Sequence, residues 1–289
     1  MNKTLLPVRT ALTVAVTMLA SANLFANEAL SKERVVSAGS AVTELLIALD
    51  AKESLVAVDV TSQLPKEMEL PKVGYHRRLS AEGLLALSPT KVIGSDEMGP
   101  NTTLDQLKSA GVDVEVVNTE ANVDGLIHRI DQIAGIMHRE TEATTLKKEV
   151  EAQVQALEGN QPEKAEKKKV LFLLIHEGRA ANVAGSETTP DAIITLAGGE
   201  NPAASKLSSY KPLSTEAMVE MQPDVILVSG RSYQTMGGAD AILKAMPLLA
   251  ATPAGMTKNI VTIDGHALVG GLGLKSLSEA KRLNELLYP

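Results

Sequence analysis

"LSAEGLLALSPTKVIGSDE" (residues 79–97) aligns without a gap on "LSTEAMVEMQPDVILVSGR" (residues 213–231), keeping Leu, Ser, Glu, Pro and a second Ser in register. Each copy opens on a Ser suited to an N-cap, places Glu in the first helical turn, ends a short helix near Pro, and continues as a β-branched strand. A helix-and-strand unit that occurs twice divides the chain into two related halves. Glu82 and Glu216 are then equivalent. Taken singly, each is an acid favourably placed at a helix N-terminus, an effect worth about 0.3–1 kcal/mol.

Outward from the two copies, strand-length apolar runs recur. "RVVS" (34–37), "SLVAVD" (54–59), "KVIGS" (91–95) and "VDVEVV" (112–117) belong with the first copy; "VLFLLI" (170–175), "DVILVS" (224–229) and "NIVTI" (259–263) belong with the second. Amphipathic stretches separate them, which is βα alternation. From Val123 to about Glu158 the pattern is helical, with Leu126, Ile130, Ile133, Ile136 and Met137 on one face, and then the polar run "GNQPEKAEKKK" reads as a solvated linker. The expected fold class is α/β, with two α/β lobes, a ligand cleft between them and a long inter-lobe helix. The boundaries expected are 27–140 for the N-terminal lobe, 141–168 for the linking helix and polar linker, and 169–289 for the C-terminal lobe.

Residues 1–26 differ from the rest. Lys3 and Arg9 precede an apolar run from Ala11 to Leu19, followed by small residues that offer cleavage after Ala22 or Ala26. That is the layout of a secretory signal peptide, and the run is short of the roughly 20 residues that span a bilayer. A soluble periplasmic protein without a direct membrane anchor is expected. The chain has no Cys, which excludes disulfides, thiol catalysis and a lipidated cysteine. A formal charge of -7 and aromatics at 2% argue against nucleic acid, which favours a basic surface and stacking platforms.

Catalytic motifs fail letter by letter. "HEGRA", from His176, has Ala180 where a zinc-protease helix needs its second His, and "GGLGLKS" (270–276) has Leu274 between Gly273 and Lys275 where a phosphate loop has none. No G-x-S-x-G elbow occurs. Binding is therefore expected rather than catalysis. In open α/β sheets ligands collect beyond the carboxyl ends of strands. His176 directly follows "VLFLLI", Arg231 and Tyr233 follow "DVILVS", and Tyr75 stands in the polar stretch "KVGYHRRLSAEG" (72–83) ahead of the first repeat helix. A lone His after a strand or a loop Tyr is more often structural; their convergence on predicted strand ends is what marks them.

With these residues in view, the chain resembles the periplasmic substrate-binding proteins of ABC importers in which a single helix joins two α/β lobes. Within that group it is most similar to the bacterial haem-uptake proteins. The resemblance runs from "VVSAGSAVTELLIALDAKESLVAVD" through "VGYHRRLSAEGLLALSPTKVIGSDEMGP" to "PDAIITLAGGEN" and "MPLLAATPAG". It implies that Tyr75 is the axial ligand of haem iron, that Arg77 supports it, and that Glu82 and Glu216 dock each lobe onto an inner-membrane ABC permease dimer with its cytoplasmic ATPase. Haem is the transported ligand in this reading. Phenolate suits ferric iron, and because free Tyr titrates near about 10, the iron and a neighbouring guanidinium must favour the deprotonated form. Arg78 is left to meet a propionate, His176 is the natural second ligand from the other lobe, and Arg231 and Tyr233 are expected to support the pocket. Lys275 stands where an Arg is expected, keeping the charge but losing the planar fork. A ferric-siderophore or cobalamin binder would share fold and Glu pair but has little use for a Tyr flanked by arginines; an exported enzyme would need a reactive group that the motifs do not supply.

Overall fold

The computed structural model describes residues 33–163, 166–175 and 180–289; the segment expected to be a signal peptide lies outside them. The chain begins β1 (Val35–Ala38), α1 (Ser40–Ala48), β2 (Leu55–Val58), α2 (Ala81–Leu85), β3 (Lys91–Ser95), α3 (Asn101–Ser109), β4 (Asp113–Val117). These strands form a wholly parallel sheet in the order β2-β1-β3-β4. Central β1 is buried at all four positions, because a parallel sheet is covered on both faces and its strands need apolar side chains on both.

Two helices follow, α4 (Val123–Met137) and α5 (Glu140–Gly159). The continuous helical pattern expected from Val123 to Glu158 is thus broken once, at His138, whose φ of 55° turns the chain in the left-handed region and lets α5 fold back on α4. The remaining elements are β5 (Val170–Leu174), β6 (Asn182–Ala184), α6 (Thr189–Leu196), β7 (Tyr210–Pro212), α7 (Thr215–Glu220), β8 (Val225–Ser229), α8 (Gly230–Met236), α9 (Ala239–Ala245), α10 (Pro253–Met256), β9 (Ile260–Ile263) and α11 (Leu274–Leu287). The second sheet has the order β7-β6-β5-β8-β9; β5, β8 and β9 are parallel, and β6 and β7 extend it antiparallel.

The repeat in the sequence is a repeat in the fold. Ser80 Oγ accepts from Gly83 N and Ser214 Oγ from Ala217 N, both at 3.3 Å, capping α2 and α7 alike. Leu84 and Met218 bury the inner face of each helix, and Glu82 and Glu216 stand exposed in the first turn. Each helix leads into the strand beside the central one of its sheet, β3 beside β1 and β8 beside β5.

One continuous apolar cluster joins the lobes. It runs from Val35 and Leu45 through Ile130 and Val150 to Phe172, Ile193, Leu277 and Leu283. α11 packs on α1, α5 and α6. Arg129, on α4, is fully buried and donates to the carbonyls of Asn118 (2.6 Å), Glu120 (3.2 Å) and Leu272 (2.8 Å), so it ties the loop after β4 to the segment entering α11. Burial lowers its pKa to about 10, against the raising pull of Glu44, Asp96 and Glu120, and the guanidinium stays charged at neutral pH. Among the described residues no helix is long and apolar enough to cross a membrane.

Candidate functional site: a cleft between the lobes

A cleft of about 1460 Å³ opens between the two sheets, larger than the roughly 300–1,000 Å³ of pockets for drug-sized ligands. Its N-terminal wall carries Tyr75, His76, Arg77 and Glu97; its C-terminal wall carries Phe172, Leu174, Thr188, Tyr210, Arg231 and His266.

Tyr75 is reached through Gly74, whose φ of +90° lies where side chains are strained and whose carbonyl accepts from Val60 N at 2.8 Å. The chain turns tightly after it, Arg78 N donating to Tyr75 O at 2.7 Å, so the phenol is left 40% exposed in the cleft. What fixes this loop is His76, which is 1% exposed and stacks its ring edge-on to Tyr75 at 4.5 Å between centroids. His76 Nδ1 lies 3.0 Å from Asp59 Oδ2, and fully buried Asp59 accepts in turn from Ser62 Oγ at 2.6 Å and Thr61 Oγ1 at 2.7 Å. On the other side His76 Nε2 is 3.7 Å from Glu97 Oε2, while Glu97 Oε1 accepts from Arg77.

The electrostatics follow from this chain of acids and bases. Burial by itself would lower the His76 pKa, but the carboxylates of Asp59 and Glu97 outweigh it and leave the imidazole raised. Asp59 would be raised by burial and is held down by His76, Ser62 and Thr61. Glu97 is lowered, first by His76 and then, against burial, by Arg77. The loop bearing Tyr75 therefore rests on a network of formally paired charges rooted in the ends of β2 and β3.

The structure brings together Tyr75 and Arg77 from one lobe and Arg231 from the other as cleft-lining residues. Arg78 is exposed and does not line the cleft; Tyr233 is partly buried against the apolar cluster of the second lobe. Lys275 does not itself line the cleft, but it reaches Gln63 of the first lobe and, at 3.3 Å, Oδ2 of the cleft-lining Asp264 of the second. His176 lies outside the described residues. The motif-led reading passed over His76, Glu97, Phe172 and Tyr210. Tyr210 carried the same signal as Tyr75, a rare aromatic in a polar stretch, but its short strand β7 was not recognised as a strand.

Two α/β lobes that share one core and face each other across an open cleft make a binding protein of the periplasmic kind. The chain belongs to the periplasmic binding protein family, whose profile matches residues 35–267. It is similar to the periplasmic heme-binding protein HutB of Vibrio cholerae, with 64% identity and a TM-score of 0.85 over 90% of this chain and 100% of that one. It is also similar to the heme-binding protein RhuT of Roseiflexus sp. RS-1, at 36% identity and a TM-score of 0.84 over 89% of this chain and 98% of that one. A vitamin B12-binding protein of Vibrio parahaemolyticus is 28% identical over 208 residues, 71% of this chain and 74% of its own length.

Proposed function

We propose that this protein captures haem in the periplasm and delivers it to an inner-membrane ABC permease. The observation that carries the reading is Tyr75, a phenol held at the cleft wall by the Asp59–His76–Glu97–Arg77 network, in a chain 64% identical to a heme-binding protein. Among the described residues no group of three or more His, Cys, Asp or Glu side chains could hold a bare metal ion. A single phenol suits iron that arrives already chelated in a macrocycle, where one axial oxygen completes the coordination. Arg77 lines the cleft next to Tyr75, Arg231 lines the same space, and His176 is the second axial ligand. Arg78, Tyr233 and Lys275 support the pocket from outside the lining. Residues 1–26 are a cleavable export signal, and 27–140, 141–168 and 169–289 are the working units.

Glu82 and Glu216, exposed at equivalent places, are the docking pair for the two permease subunits. Cobalamin binding, suggested by relatives at 28% identity, is the second reading; a corrinoid brings its own metal ligands and leaves the paired Tyr75 loop without a task. Titration of the mature protein with hemin and with cyanocobalamin decides between them. Hemin is expected to give a Soret shift and a phenolate-to-iron charge-transfer band that Tyr75→Phe abolishes; cobalamin saturation with no hemin shift would replace the haem reading.

A further inference from the structure

The chain has four Tyr, two Phe and no Trp, and of these Tyr75, Tyr210 and Phe172 all line the cleft. Tyr75 belongs to the first lobe; the other two belong to the second. Tyr210 opens the edge strand β7, where it pairs only with Ala184 of β6, and Ser209 before it has a φ of 63°. Its ring is backed edge-on by Phe172, with centroids 6.4 Å apart and planes at 72°. Phe172 is 1% exposed, whereas Tyr210 remains 36% exposed. A large ring braced from behind and bare in front is an unfilled contact face, because apolar area left against water in a concave site is recovered when a ligand covers it.

The phenol also senses the opposite wall. Its pKa is pushed up to about 12, first by burial and then by the charge of Glu97, with Arg77 pulling the other way. It therefore stays protonated, and the charges that act on it, Glu97 after β3 and Arg77 in the loop carrying Tyr75, belong to the network that holds that loop. Resting on the haem reading, we infer that Tyr210 is a specificity-determining contact in the second lobe: its ring packs on the plane of the tetrapyrrole while Tyr75 takes the iron from the first lobe. The division of labour is testable, because the plane and the metal can be supplied separately.

The probes are hemin and iron-free protoporphyrin IX, each titrated by absorbance into wild type, Tyr210→Ala, Tyr210→Leu, Tyr210→Phe and Tyr75→Phe. An aromatic ring against a flat heterocycle commonly contributes a five- to hundredfold gain, so Tyr210→Ala and Tyr210→Leu should each weaken both probes by about tenfold. Tyr210→Phe should stay within about twofold of wild type for both, since the ring is kept. Tyr75→Phe should weaken hemin alone. The inference is overturned if wild type does not bind protoporphyrin IX, if Tyr210→Leu binds it as wild type does, or if Tyr210→Phe loses as much as Tyr210→Ala. Failure of wild type to bind hemin would instead overturn the reading on which it rests. The Leu and Phe variants separate loss of the ring from loss of the fold at this edge-strand position.

Discussion

Replacing Glu44 by Gln should remove a pH dependence from the stability of the whole molecule. Glu44, on α1, accepts from the backbone of Leu274 (Oε1, 2.7 Å) and of Lys275 (Oε2, 3.2 Å), the first two residues of α11. Burial dominates its titration and raises its pKa from 4.5 to about 7, although those two N–H groups and the charges of Lys275 and Arg129 pull it down. The folded protein thus holds a proton that the unfolded chain has released. The associated stability is fully present below about pH 4.5 and is lost as pH rises through about 7. The interval between the two values corresponds to about 3 kcal/mol, of which about 2 kcal/mol falls between pH 5.5 and pH 8. For a chain of this size that is a drop of roughly 4–8 °C in Tm. His76, also raised, contributes in the same direction, so the quantity to compare is the change in Tm from pH 5.5 to pH 8 in wild type and in Glu44→Gln. Scanning calorimetry of the two proteins at both pH values should show the variant losing several degrees less. Equal losses would refute the assignment of this titration to Glu44.

Other expectations concern single side chains. Arg129→Met strands the buried carbonyl of Leu272 and the part-buried carbonyls of Asn118 and Glu120 and should lower stability by about 3 kcal/mol, read as a Tm fall of roughly 6–12 °C; a fall under 2 °C would count against the buried-tie account. His176→Ala should convert the hemin complex from six-coordinate, largely low-spin iron toward five-coordinate high-spin, and an unchanged spectrum would leave His176 without a role at the metal. Glu82→Ala with Glu216→Ala should leave hemin affinity intact and abolish ATP-driven uptake into vesicles carrying the permease, because exposed ion pairs gain strength only when an interface desolvates them. Normal uptake by the double variant would mean that the two acids serve only their helices.

The sequence made the βα alternation and the duplicated unit legible because both depend on local rules: β-branched runs for strands, Ser before a first-turn Glu for helices. Those rules apply within a few residues of β1, β3, β5, β8 and β9, and the strand ends shifted by no more than a residue. β6 and β7 escaped because three-residue strands carry too little pattern, and β7 is exposed at every position. The break at His138 escaped because a non-glycine residue in the left-handed region leaves no compositional trace. At the site, Tyr75 and Arg77 were visible from chemistry and neighbourhood. The Asp59–His76 bond was not, since it joins residues from two loops and only the fold brings them within 3.0 Å. Lys275 was expected to support the haem pocket, and its partners Gln63 and Asp264 depend on how α11 enters, which nothing in "GLGLKS" records.

The position of α11 bears on the order in which this molecule can fold. Leu277, Ala280, Leu283 and Leu287 belong to the same buried cluster as Val35, Leu45 and Leu46, and the segment entering the helix is gripped by Arg129 and Glu44 of the first lobe. A nascent or translocating chain that stops short of residue 274 leaves the apolar faces of α1, α5 and α6 without their shared partner. The first lobe therefore reaches its full apolar burial only once the last helix is in place, and the two lobes share one core rather than two that could be completed in turn.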